Sequence, residues 1–420
     1  MPNLHTPGVA PTLFLIASLI GAAFTVTAWV RVRRLGGPGV FGFFMAGWLT
    51  SELALHHIAW QALATLIFAG FGALASWPGV LGLAITFASW AGLGLVHARS
   101  LTAAEVAGRV LREIGVESTD PIAVHELVNP FKMSRPGVAR ISDIRYGDPL
   151  PGDKGARNLL DIVEPTRPGS LRPVLVQIHG GGWIFGEKHQ QGQPLMHFMA
   201  MRDWICFAPN YRLGPRATFP AQIVDVKRAL AWVRDHAQDY GGDPDFICIT
   251  GGSAGGHLAA LAALTAGDPG FQPGFEEADT RVSACVPFYG VFDLLDRHGV
   301  RGRASMEPFL EQYVFKCSPA QDPELWESAS PISRIHENAP PFLVVQGSQD
   351  SLVFVEEART FVEALREKSR NPVFYAEFPG AQHAFDTFHS LRCAHAIRIA
   401  AAFLERVHAQ YREGKDASRG

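Results

Sequence analysis

Charge is distributed so unevenly along this 420-residue chain that one fold cannot account for all of it. The first 98 residues hold four charged side chains, Arg31, Arg33, Arg34 and Glu52. The other 322 residues hold 73 of the chain's 77 charges, made up of 37 Lys and Arg and 40 Asp and Glu. A soluble domain of ordinary composition does not look like the first part, so a wholly soluble single domain is excluded. With 47% apolar residues, both parts can bury apolar surface, which excludes intrinsic disorder. The net charge of −3 argues against a nucleic-acid partner.

Pro11 to Val30 is an uninterrupted apolar run of 20 residues, long enough to cross roughly 30 Å of hydrocarbon. Its positive charges follow it, whereas a cleaved signal peptide carries them in front. The run reads as a retained anchor. A second stretch, from Val40 to Trp77, is too long for one crossing. Residues 58–76 read as its spanning part and residues 40–57 as an interfacial lead-in. Trp77-Pro78-Gly79 reads as a turn, and residues 80–96 as a third span. The arginine clusters on either side, Arg31/Arg33/Arg34 and Arg99/Arg109/Arg112, both belong on the cytoplasmic face. Three spans at about 11–30, 58–76 and 80–96 meet that requirement, with everything after residue 98 in the cytoplasm. Glu52 and His56 are spaced i, i+4, and His57 follows. Ionisable groups at membrane depth point to a site by default. No further carboxylate or histidine stands near to complete a metal site, so the plainer reading is an interfacial helix showing polar groups to headgroups or water.

Residues 99–138 have helical spacing broken by Pro121, Pro130 and Pro136, a connector that could double as part of a cap. From residue 139 to about 412, strands and helices alternate. Strands are expected at 140–146, 158–163, 174–178, 204–208, 246–250, 282–288, 342–346 and 373–377. The clearest helices are 222–236, 255–266, 355–367 and 389–409. Runs such as Val174-Leu-Val-Gln-Ile178 are continuously apolar, as in a parallel sheet covered on both faces. Residues 413–420 read as a disordered tail. The five cysteines all lie after residue 98 without C-x-x-C spacing, and Cys206, Cys248 and Cys285 read as buried thiols.

Two motifs carry chemistry. Gly251-Gly252-Ser253-Ala254-Gly255 follows an apolar strand and opens a helix. A nucleophile on a sharp strand-to-helix turn needs such small flanking residues, and the turn presents its hydroxyl clear of the sheet. His179-Gly180-Gly181-Gly182-Trp183 follows another strand, and its glycines free backbone N–H groups to converge on a developing oxyanion. Phosphate binding is the rival reading of a glycine loop. It lacks the lysine of a nucleotide loop, and no G-x-G-x-x-G stands before a suitable acidic residue.

Together these motifs resemble the hormone-sensitive-lipase-like esterases of the α/β-hydrolase fold, across about residues 139–410. The block Pro209-Asn-Tyr211-Arg212-Leu213, with Phe219-Pro220 and Asp225-Val226, is similar to a further family block. Gly252 departs from the Asp or Glu that soluble members often carry before the serine. The resemblance implies an α/β-hydrolase domain preceded by an all-α transmembrane region. It implies Ser253 as nucleophile, Asp350 as orienting acid and His383 as base, with the N–H groups of Gly181, Gly182 and Ala254 as oxyanion hole. His179 and His257 read as structural. Asp386 lies only three residues past His383, too near in sequence to reach the strand end that orients it. Residues 290–335 interrupt the strand pattern and, with 99–138, could cover the site.

The expected activity is cleavage of carboxylic esters through an acyl-enzyme, on hydrophobic or lipid-like small molecules beside the lipid bilayer. No metal or cofactor is called for. The same triad would also serve an amidase, formamidase or methylesterase. A non-catalytic membrane module and a transporter are the remaining alternatives; the full triad argues against the first, the few polar groups in the spans against the second.

Overall fold

Central strands of this chain are apolar at every position because both of their faces are covered. In the computed structural model, which describes residues 8–31, 38–153, 155, 157–302 and 305–417, eight strands form one sheet. They are β1 (Val138–Arg145), β2 (Leu159–Pro165), β3 (Arg172–Ile178), β4 (Ile205–Pro209), β5 (Gly242–Gly252), β6 (Ala284–Phe288), β7 (Phe342–Gly347) and β8 (Val373–Phe378). Each overlaps one of the eight expected strands. The order is β1-β2-β4-β3-β5-β6-β7-β8. Pairs β1/β2 and β2/β4 are antiparallel and the other five are parallel. Val174 and Val176 of β3 feed the core on one face and Leu175 the core on the other. Ile247 and Ile249 of β5 alternate with Cys248 in the same way. Cys206, Cys285 and Cys393 are also buried, Cys317 is half-buried, and all five thiols are free.

The C-terminal helix spans Leu391–Ala417 and takes in the start of the stretch expected to be a tail. Residues 418–420 lie outside the described residues, as do Arg33 and Arg34 of the first arginine cluster.

Among the described residues six α-helices precede the sheet: α1 (Val9–Trp29), α2 (Pro38–Glu52), α3 (Ala54–Gly70), α4 (Trp77–Leu101), α5 (Ala103–Ile114) and the short α6 (Val124–Val128). Among the described residues two stretches are long and apolar enough to cross a membrane, α1 and the α4–α5 rod of 38 residues; α2 and α3 together make a third candidate, bent by 94°. Two boundaries differ from the sequence reading. The helix that covers the second expected span runs from Ala54 to Gly70, not over 58–76. Trp77-Pro78-Gly79 is the first turn of α4, with Pro78 where a missing N–H costs least, and the reversal lies before it at residues 71–76.

Helices α1 and α4 run in the same direction, since the Ser18 and Thr86 hydroxyls bond at 3.0 Å and Thr25 and Ser89 at 2.6 Å. Close approach is possible because Gly82 sits where a β-carbon would come within 3.1 Å of the Leu15 Cα. Helix α3 runs the opposite way: Phe24 meets His57, and Phe14 meets Phe68. Large apolar side chains on this bundle point outward, among them Trp60 at 70% exposure and Leu66 at 72%.

Candidate active site

Five strand ends converge on one cavity of about 450 Å³. After β5 the chain turns through Ser253, held at φ 59° and ψ −122°, directly into the helix Ala254–Leu264. That backbone conformation is disfavoured for a residue with a β-carbon, and it aims the hydroxyl into the cavity. The Ser253 N–H donates to the Phe288 carbonyl at 3.0 Å, and the Ser253 carbonyl accepts from His257 N–H at 2.9 Å. The turn is therefore pinned at both ends.

After β3 the chain bends back on itself. Gly181 (φ +117°) and Gly182 (φ +56°) occupy conformations that favour glycine. A β-carbon on Gly181 would lie 2.1 Å from the Phe185 carbonyl oxygen. The Gly181 carbonyl accepts from the N–H groups of Ile184 and Phe185, both at 3.1 Å. Among the described residues, the N–H groups of Gly181, Gly182 and Ala254 have no protein acceptor.

His179 and His257 brace this loop. The His179 ring stacks on Tyr211 with centroids 4.2 Å apart, and the Tyr211 hydroxyl donates to the His179 carbonyl at 2.9 Å. Trp183 Nε1 donates to His257 Nδ1 at 3.1 Å, which leaves His257 Nε2 to donate to the Ala329 carbonyl at 2.8 Å. Burial pushes both imidazoles down to about 4, so both are neutral at pH 7. Arg212, from the further family block, forks onto Asp225 at 2.8 Å.

After β7, Asp350 is fully buried. Its Oδ1 accepts from the N–H groups of Leu352 (2.9 Å) and Val353 (2.8 Å). Its Oδ2 accepts from Gln346 Nε2 at 3.2 Å and is 2.7 Å from His383 Nδ1. After β8, His383 lines the cavity together with Ser253. Asp386 bonds the Tyr289 hydroxyl instead of the imidazole. Burial holds both the Asp386 carboxyl and the Tyr289 phenol above their ordinary values. Tyr289, at the end of β6, also explains Gly252: a β-carbon there would sit 2.7 Å from the Tyr289 oxygen. The space that a side chain at position 252 would enter is occupied here by that phenol ring.

Two site features escaped the sequence reading, the wall that α2 gives the cavity and the burial of Glu52. Phe44, Met45 and Trp48 of α2 line the cavity, as do Val291, Met306 and Phe309. The segment 290–335 thus contributes to the cover as expected, whereas residues 99–138 supply none of the lining. Helix α5 packs instead on β8 and the C-terminal helix. Glu52 is neither interfacial nor paired with His56. The bend at Leu53 turns α3 away, and the Glu52 carboxylate is buried against Arg392 (3.0 Å) and the Ser390 hydroxyl (2.8 Å). A pair of aromatics at i, i+4 (Phe44, Trp48) beside a lone carboxylate was the available signal.

The probable carboxylic ester hydrolase LipM of Mycobacterium tuberculosis is 40% identical to this chain over 418 residues, covering 96% of this chain and 95% of LipM. The chain belongs to the α/β-hydrolase carboxylesterases. The carboxylesterase match to LipM includes most of the N-terminal helical module. The esterase LipQ of the same organism is 50% identical over 63% of this chain and 62% of its own length. The family profile described as BD-FAE matches residues 160–365. Among solved structures, a propionate-bound esterase of Thermogutta terrifontis, Est2, aligns with a TM-score of 0.51 at 28% identity, over 66% of this chain and 96% of its own. This carboxylesterase is accordingly an enzyme acting on carboxylic esters, of the serine-hydrolase type.

Proposed function

We propose that the protein is a membrane-anchored serine esterase that works through an acyl-enzyme on hydrophobic, lipid-like esters. One observation carries the mechanism. His383 Nδ1 lies 2.7 Å from an Asp350 carboxylate that is otherwise saturated with donors, and the same imidazole lines the cavity that Ser253 enters. Asp350 fixes the tautomer with its proton on Nδ1, leaving Nε2 free to take the Ser253 proton. The Ser253 oxygen then attacks the ester carbonyl carbon, and the N–H groups of Gly181, Gly182 and Ala254 meet the charge that develops on the carbonyl oxygen. His383 passes the proton to the departing alcohol. It then activates the water that releases the acid.

The substrate class follows from the cavity and its setting. Aromatic and aliphatic side chains dominate the lining, and one wall is α2, the helix leading out of the apolar bundle. Helices α1, α3 and α4 cross in alternating directions, and outward-facing Leu, Phe and Trp side chains on them match hydrocarbon. The arginines at the ends of α1 and α4 favour a cytoplasmic hydrolase. With the full chain in detergent, nitrophenyl esters from acetyl to palmitoyl are expected to be cleaved, with matched anilides at least a hundredfold slower. Equal rates on esters and anilides would favour an amidase. In sealed right-side-out membranes, residues 99–420 are expected to resist external protease; digestion would overturn the cytoplasmic placement.

A further inference from the structure

The N-terminal helices reach the site at two backbone carbonyls, each adjoining a group given a role above. The first is that of Ala384, directly after His383. Ala384 sits at φ +59°, a region that a residue with a β-carbon enters only when neighbouring contacts hold it there. Its carbonyl accepts from Trp48 Nε1 at 2.9 Å and from the Thr387 hydroxyl at 2.9 Å. The Trp48 ring is itself fixed between Phe44 and Phe388, with centroids 5.7 and 5.2 Å away, and Phe44 meets the His383 ring at 5.9 Å.

The second carbonyl belongs to Asp350. Arg31, just past the end of α1, donates from Nε to it at 3.1 Å. The same guanidinium forks onto Glu356 at 2.8 and 3.2 Å and lies 4.9 Å from the Phe354 ring centroid. One residue earlier in the loop, Gln349 Nε2 donates to the Trp29 carbonyl at 3.0 Å. The acid loop is thus tied at both ends to the end of α1.

We propose that Trp48 and Arg31 are positioning residues of the reaction: the helical module holds the histidine loop and the acid loop in the register that keeps Asp350 against His383. The inference rests on the assignment of Asp350 and His383 given above. Inside the sheet domain the two loops also meet directly, Gln349 N–H donating to the Ala381 carbonyl at 3.0 Å and Ser351 N–H to Gln382 Oε1 at 2.7 Å; the module adds a second set of ties from outside the sheet domain, and so acts on turnover as well as on location.

The test uses the full chain in detergent micelles with nitrophenyl butyrate. Trp48→Phe keeps a ring between Phe44 and Phe388 and removes only the donor; Arg31→Gln removes the fork. Each is expected to lower kcat about tenfold or more with KM within about threefold. Each is also expected to move the acid limb of kcat/KM to lower pH, because a looser carboxylate favours the imidazolium less. A kcat within twofold of the native value overturns the inference. So does a fall in kcat with an unmoved acid limb, which is what fewer folded molecules would produce. Asp350→Asn and His383→Ala, measured alongside, separate the two levels. If they are inactive while Trp48→Phe and Arg31→Gln behave as native, only the positioning role falls. If they turn over as native, the assignment falls and this inference with it.

Discussion

The sheet domain and the helical module solve the same problem, holding polar groups in an apolar interior, by different means. In the sheet domain the polar groups at the site are held by several partners or kept uncharged: Asp350 accepts four hydrogen bonds, and His179 and His257 are kept neutral by burial. In the helical module polarity is sparse and short-armed, with serine and threonine hydroxyls bridging α1 and α4. The first arrangement can support strained backbone, as at Ser253. The second can only bring helices together. Charge enters the module where it meets the sheet domain, in Arg31 with Glu356 and Glu52 with Arg392. The difference teaches that the strained, densely bonded candidate site and the sparsely polar bundle are separate parts of this chain, and that long side chains join them.

The largest test of that separation is Ser253→Ala. It is expected to lower kcat by roughly 10⁶-fold while leaving thermal stability unchanged. Residual activity near the native rate would place the chemistry elsewhere. Next is the buried joint. Glu52→Ala strands the Arg392 guanidinium and is expected to cost about 3–5 kcal/mol, read from denaturation of the full chain in detergent. A loss below about 1 kcal/mol would mean that the aromatic contacts of α2, not the ion pair, hold the two parts together.

Acid should act on the sheet domain first. His179 and His257 titrate near 4 when folded and near 6.5 when unfolded, so the unfolded chain takes up protons earlier as pH falls. Their contribution is complete above pH 6.5 and is lost on the way down to about 4. Between pH 7 and 5 each is expected to remove about 2 kcal/mol. Melting curves at the two pH values check this, and His257→Gln should flatten the difference. The smallest effect belongs to the bundle. Thr25→Val breaks the bond to Ser89 and is expected to cost about 1 kcal/mol, with no change in esterase kinetics.

Much of the sheet domain was legible in the sequence because its signals are local. A buried strand, a glycine turn and a serine lie within ten residues of one another, and sterics alone ties them together. The meeting of Asp350 with His383 was legible for a related reason, since each follows a strand at a family-typical offset. The role of α2 was not legible. Trp48 and Ala384 are separated by 336 positions, and nothing near Trp48 distinguishes a cavity wall from an interfacial aromatic. Glu52 misled for a local reason: i, i+4 spacing implies a shared face only while the helix continues, and this one bends at Leu53. The phenol of Tyr289 filling the place left by Gly252 was equally hidden, being a contact between the ends of two strands.

The parallel course of α1 and α4 has a mechanical consequence. A body hung from a single rod can swivel about it. This hydrolase is gripped by α1 through Arg31 and is continuous with α4 through α5, which is packed into the sheet domain. Two rods entering from the same side remove that rotation. The mouth of the cavity therefore keeps one bearing and one height relative to the helix bundle.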